Sequence, residues 1–163
     1  SALQMVDRSI VVSELNLDRD AGVQVFAKDL FSLGNKLGYA IGVFGGDGRN
    51  RLGERFGLLY TARVEFLPFG QFDDYVEGDV HREHRPRLAV GLSAAYNQNT
   101  NRPQSTIGPP FSGSVRFDYQ HAGVDLMFKW RGFSATGEWL ARRAGEGARP
   151  DDGGTLVFSR SWW

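Results

Sequence analysis

The pattern of apolar and polar positions in this chain repeats with a period of two. It is clearest from Leu58 to Leu67. Leu58, Tyr60, Ala62, Val64 and Phe66 fall on one side of an extended chain, and Leu59, Thr61, Arg63, Glu65 and Leu67 on the other. Successive side chains of a strand point to opposite faces, so one face is apolar with aromatics near both ends. The other carries a charge pair at its middle.

The same plan recurs along the chain. Arg19 to Asp29 sets Val23, Val25 and Ala27 against Gln24, Phe26 and Lys28. Lys36 to Gly45 sets Tyr39, Ile41 and Val43 against Gly38, Ala40, Gly42 and Phe44. Arg87 to Asn97 sets Leu88, Val90, Leu92, Ala94 and Tyr96 against Ala89, Gly91, Ser93, Ala95 and Asn97. Ala122 to Trp130 and Phe133 to Arg143 alternate likewise, and Thr155 to Trp163 reads as a last strand. Leu3 to Asn16 is mixed, strand or short helix. The pattern predicts about seven strands of roughly ten residues, the length a tilted strand needs to cross a bilayer, where soluble strands average about five or six.

The connections alternate in character. Trp130-Arg131-Gly132-Phe133 is a tight turn, and it shares a side with the Leu30–Asn35 and Pro68–Pro86 links. Asp47 to Arg55, Gln98 to His121 and Ala144 to Gly154 are polar, rich in Gly or Pro, and share the other side. Short turns on one side and long loops on the other mark an up-and-down barrel in an outer membrane. The length of Pro68–Pro86 departs from that rule. The stretch holding Asn99 to Pro103 and Ile107 to Phe111 reads as an irregular loop, either folded inward or lying outside as a cap.

Composition narrows the class. Gly at 21 residues, Phe at 12 and aromatics at 13% suit an all-β chain with many turns. With 19 basic and 19 acidic residues the net charge is zero, so no global field points to nucleic acid. There is no cysteine, which excludes disulfides and thiolate metal sites. No run reaches the roughly 18 apolar residues of a spanning helix, which leaves barrel strands untouched. Both ends read as cut within a longer protein, so residues 1–163 are taken as one barrel region truncated at both ends.

Ordered motifs then carry a resemblance. Asp7-Arg8-Ser9 is followed by Arg19-Asp20-Ala21-Gly22-Val23-Gln24, by Tyr39-Ala40-Ile41-Gly42-Val43-Phe44-Gly45-Gly46, and by Ala62-Arg63-Val64 before Pro68. Gly132-Phe133-Ser134 leading to Gly137-Glu138-Trp139 completes the series. In this order they resemble the phosphate-selective porin O and P family. That resemblance implies an antiparallel transmembrane β-barrel of about 16 strands, set in the bacterial outer membrane and assembled as a homotrimer. It implies passive diffusion of small solutes through a water-filled lumen, with anions such as phosphate favoured where Arg and Lys line the pore. The equal count of basic and acidic residues points instead to a general porin.

The candidate pore-lining residues are Lys28, Arg63, Glu65, Asp125, Lys129, Glu138 and Arg142, with Arg63 and Lys129 foremost because each sits mid-strand opposite a clean apolar face. Lumen charges set the potential a permeating ion meets. They equally suit cross-strand ion pairs that stiffen the wall. Tyr39, Tyr60, Phe66, Tyr96, Phe128, Trp130 and Trp139 are candidates for the aromatic girdle at the lipid boundary, or for packing in a soluble core. His81-Arg82-Glu83-His84 lacks a third ligand and reads as a solvated turn. His121 stands alone. No nucleotide-binding glycine motif and no G-x-S-x-G appears. The reading is a non-enzymatic porin without metal or cofactor, its partners being lipid and small solutes. The alternatives are a soluble β-barrel binding a small apolar ligand, and a plugged structural or enzymatic outer-membrane barrel.

Overall fold

In the computed structural model, residues 15, 17, 19–48, 57–72, 79, 82–111 and 116–145 are described. They form one antiparallel sheet of six strands: β1 (Gly22–Ala27), β2 (Leu37–Phe44), β3 (Leu59–Phe66), β4 (Arg87–Thr100), β5 (Phe117–Trp130) and β6 (Phe133–Ala144). Each strand pairs with the next in sequence, giving the up-and-down order β1-β2-β3-β4-β5-β6. A single 3₁₀ turn, Leu30–Ser32, lies between β1 and β2. Among the described residues β1 and β6 are edges and the sheet is open. The regions Leu3–Asn16, apart from Leu15, and Thr155–Trp163 lie outside the described residues, as do the Asp7-Arg8-Ser9 motif and most of the Asp47–Arg55 and Ala144–Gly154 loops.

The register carries the alternation across all six strands. Val25, Ile41, Ala62, Ala94, Ala122 and Ala141 form one continuous row. The neighbouring row on the same face holds Tyr39, Val64, Leu92, Val124 and Trp139. This outer face is exposed: Val23 by 74%, Leu92 by 53% and Phe133 by 61%. The opposite, inner face holds the glycines, the small polar residues and the charges, and its side chains are the more buried of the two sets in β2 and β3.

β4 and β5 run for 14 residues each, longer than the alternation predicts. The additional pairing joins Asn97 to Tyr119 and Thr100 to Phe117, with a register shift between them. Asn99 there has φ 55°, the left-handed region that Asn tolerates best among residues with a side chain. Both ends of the Gln98–His121 stretch are therefore strand, and the connection proper is residues 101–116. The hydrophobic signal stops at Tyr96 because Asn97 to Thr100 are polar, whereas the ladder continues on main-chain hydrogen bonds that do not depend on side-chain polarity.

The β5–β6 turn is Arg131-Gly132, both at positive φ (51° and 88°). This is the two-residue hairpin geometry whose twist matches the strands it joins. The long 67–86 connection is tied to this hairpin. Asp79, buried, accepts from the Glu83 N–H at 3.0 Å and from the Gly132 N–H at 2.6 Å, and the Arg131 N–H donates to the Glu83 carbonyl. Arg87 reaches Glu83 at 3.2 Å and the Phe69 carbonyl at 2.8 Å. The unexpected length of this link thus serves as a clasp over the hairpin end of the sheet.

Candidate functional site

The site assembles on the inner face. Pairing sets Glu65 opposite Gly91, Gly91 opposite Asp125, and Asp125 opposite Glu138, in one row across β3 to β6. Arg63 lies two residues from Glu65 on the same face. Its guanidinium passes over β4 and grips Asp125 with both nitrogens, at 2.5 and 2.9 Å, while Nη2 stands 3.6 Å from Glu65. A two-pronged guanidinium–carboxylate contact of this kind fixes geometry as well as charge.

Gly91 makes the contact available. A Cβ at this position would stand 2.3 Å from Asp125 and 2.5 Å from Arg63, so any larger residue would occupy the space the two side chains share. The row then holds three carboxylates, Glu65, Asp125 and Glu138, served by one base, Arg63. Arg63 is thus engaged by two carboxylates while its side chain stays 41% exposed.

The other candidates lie on the same face but apart from this cluster. Lys129 is 3% exposed, with Nζ 5.6 Å from the centre of the Phe72 ring. Its placement corrects the expectation of a solvent-facing lining residue: the chain following β3 returns across its ammonium. Arg142 stacks on the Tyr119 ring at 5.9 Å, at the level of Thr61, Ala95 and His121. Lys28, just past the end of β1, is exposed and borders a cavity of about 690 Å³ that also touches Arg63 and Glu65.

The candidate girdle rings all share the outer face by register. Tyr60 pairs directly with Tyr96 near the loop end, and Phe128 and Trp130 lie beside Phe133 at the hairpin end. Phe66 closes β3 opposite Val90. Tyr39 and Trp139 stand in the row of Val64 and Leu92, farther from the ends. The Tyr60–Tyr96 row itself turns polar on β5 and β6, where Gln120 stands opposite Arg143, and beyond it Asp118 accepts from the Tyr96 hydroxyl at 2.6 Å.

The 101–111 loop folds toward the inner face. Asn97, fully buried, donates to the Gly46 carbonyl and to Ser105 Oγ, both at 3.0 Å. The Thr100 hydroxyl reaches the Ser105 carbonyl at 2.6 Å, and Tyr119 donates to the Pro103 carbonyl at 3.1 Å. Asn97 and Tyr119 are inner-face residues, so the loop bends across that end of the sheet rather than standing away from it. Gly46, at φ 81°, approaches so closely that a Cβ would lie 2.6 Å from the Asn97 amide.

Sequence reasoning missed Asn97, Ser105, Asp79 and Gly91. Gly91 carried one signal, a glycine inside a strand, which often marks close approach by another group. It also missed Leu15, buried on the inner face beside Ala95 and Leu140, where its backbone hydrogen-bonds His121. His121 therefore has a structural partner. Of the His81-Arg82-Glu83-His84 run, His81 lies outside the described residues and Glu83 is engaged with Arg87. Among the described residues no group of three His, Cys, Asp or Glu converges to hold a metal, and no helix is long and apolar enough to cross a membrane. No family model, curated protein or solved structure matches the chain.

Proposed function

We propose that this chain is part of an outer-membrane porin, a non-enzymatic barrel through which small solutes pass by diffusion. One observation carries the reading. The apolar face is continuous over six strands and exposed, while the charged face is the one its own segments cover. Burying one large apolar side chain gains about 1.5–3 kcal/mol, and exposed apolar patches of this extent mark a surface made for contact with something apolar. Lipid suits it, because each strand from β2 to β5 is hydrogen-bonded to a neighbour on both sides, and the apolar band gives way to polar residues at the row of Tyr60 and Tyr96. The ordered resemblance to the phosphate-selective porin O and P family supports the same reading, with closure supplied by further strands and a homotrimer as the assembly.

On this reading the inner face lines the lumen. Arg63 is held by Asp125 and Glu65 and Lys129 is covered, so among the described residues the two foremost inner-face cations are engaged, while Lys28 stands exposed at the end of β1. A general porin for small solutes fits better than a phosphate-selective one. Planar-bilayer recording of the full-length protein, under a salt gradient and then with added phosphate, tests this. Stable conductance without phosphate block is the expected result. Phosphate block would restore the selective function. Protein that is folded and soluble without detergent would overturn the membrane reading and favour a soluble binder.

A further inference from the structure

We propose that the inner-face cavity beside β1 is a binding site for an uncharged, polyhydroxylated solute of the sugar class. It deepens the porin reading by naming a solute for the lumen face, although occupancy of the cavity itself requires no pore. The cavity measures about 690 Å³ and lies between β1, β2, β3 and residues 71–72, within the roughly 300–1,000 Å³ typical of small-molecule sites. Its floor is low because Gly38 and Ala40 line it.

Three neutral amides converge on this space: Gln24, Asn35 and Gln71. Each carries two donors and an acceptor, and among the described residues none is engaged by another side chain or main-chain group. Amides serve hydroxyl groups well, since a hydroxyl both donates and accepts. The rings of Phe26 and Phe72 border the same cavity, and that of Phe26 is 65% exposed. An aromatic face offers an apolar platform for the C–H side of a pyranose, while the amides address its hydroxyls.

Charge decides against an ion. Lys28 and Arg63 meet the cavity on one hand and Glu65 on the other, and Arg63 is already gripped by Asp125. An anion would face Glu65 and a cation would face Lys28. The adjoining cavity of about 260 Å³ shares Gln24, Ala40 and Arg63, but Leu15, Leu17 and several alanines line it and Gln24 is its only amide. The proposal is therefore confined to the larger space.

The test is isothermal titration calorimetry on the full-length protein in detergent micelles, with maltose, glucose and inorganic phosphate as separate probes. Saturable binding of a sugar, undiminished by phosphate, is expected. Phe26→Ala should weaken it about tenfold and Gln71→Ala about threefold to tenfold. Both positions are solvent-facing, and an unchanged β circular-dichroism spectrum would show that the variants remain folded. Absence of sugar binding overturns the proposal, as does phosphate binding in its place, or sugar binding indifferent to both substitutions. Bilayer conductance is read in parallel. Conductance without sugar binding removes the site and keeps the pore; sugar binding without conductance keeps the site and removes the pore.

Discussion

The two faces of the sheet are organised by different rules. The outer face is made by repetition: apart from the polar loop end at Asp118, Gln120 and Arg143, alternate residues are apolar or aromatic, rows align across β1 to β6, and many of these side chains stand exposed. The inner face is made by exceptions. Gly91 opens a path for Arg63, Leu15 packs beside His121, Phe72 lies over Lys129, and the 101–111 loop is pinned to Asn97. A globular protein in water would bury the first kind of face and expose the second. Here the order is inverted, as lipid on one side and a lumen on the other would require.

The largest expected effect comes from placing a charge in the outer rows. Leu92→Arg should destabilise the folded state in lipid by about 2–4 kcal/mol, read as a lowered midpoint of urea unfolding from vesicles. Thr136→Arg, exposed on the inner face of β6, should stay within about 0.5 kcal/mol. Equal effects of the two would break the contrast between the faces.

Gly91→Leu comes next. The new side chain would fill the space shared by Arg63 and Asp125 and cost about 1–3 kcal/mol through overpacking. Arg63 freed from Asp125 should also move the reversal potential toward anions. A shift toward cations, or none, would show that the pair does not govern the local field.

Asn97→Ala removes the two hydrogen bonds that hold Gly46 and Ser105. About 1–2 kcal/mol should be lost, and limited proteolysis should find the 101–111 loop more readily. Unchanged cleavage would mean the loop is held by its other contacts alone.

The smallest effect is expected at Lys129. Covered by Phe72 and 3% exposed, it does not meet the solution, so Lys129→Gln should leave the reversal potential within measurement error. A clear shift toward cations would return Lys129 to the lining and show that the segment bearing Phe72 lifts away.

What the sequence by itself determined was the alternation and its consequences. Side-chain direction along a strand depends only on residue parity, so the faces of Arg63, Glu65, Asp125, Lys129, Glu138 and Arg142 were legible, as were those of Tyr60, Tyr96 and Trp130. The hairpin at Arg131-Gly132 was legible too, because turn chemistry is local. The polar ends of β4 and β5 were not, since main-chain pairing leaves no mark on composition. Tertiary structure alone decided who touches whom on the inner face. Arg63 and Asp125 are 62 residues apart in sequence, and neither announces the other. Their contact depends on three strands in register and on the absence of one Cβ. The same holds for Lys129 under Phe72 and for Asn97 beneath its loop: long-range contacts follow from the register of whole strands, which period-two alternation restricts to one face but does not align.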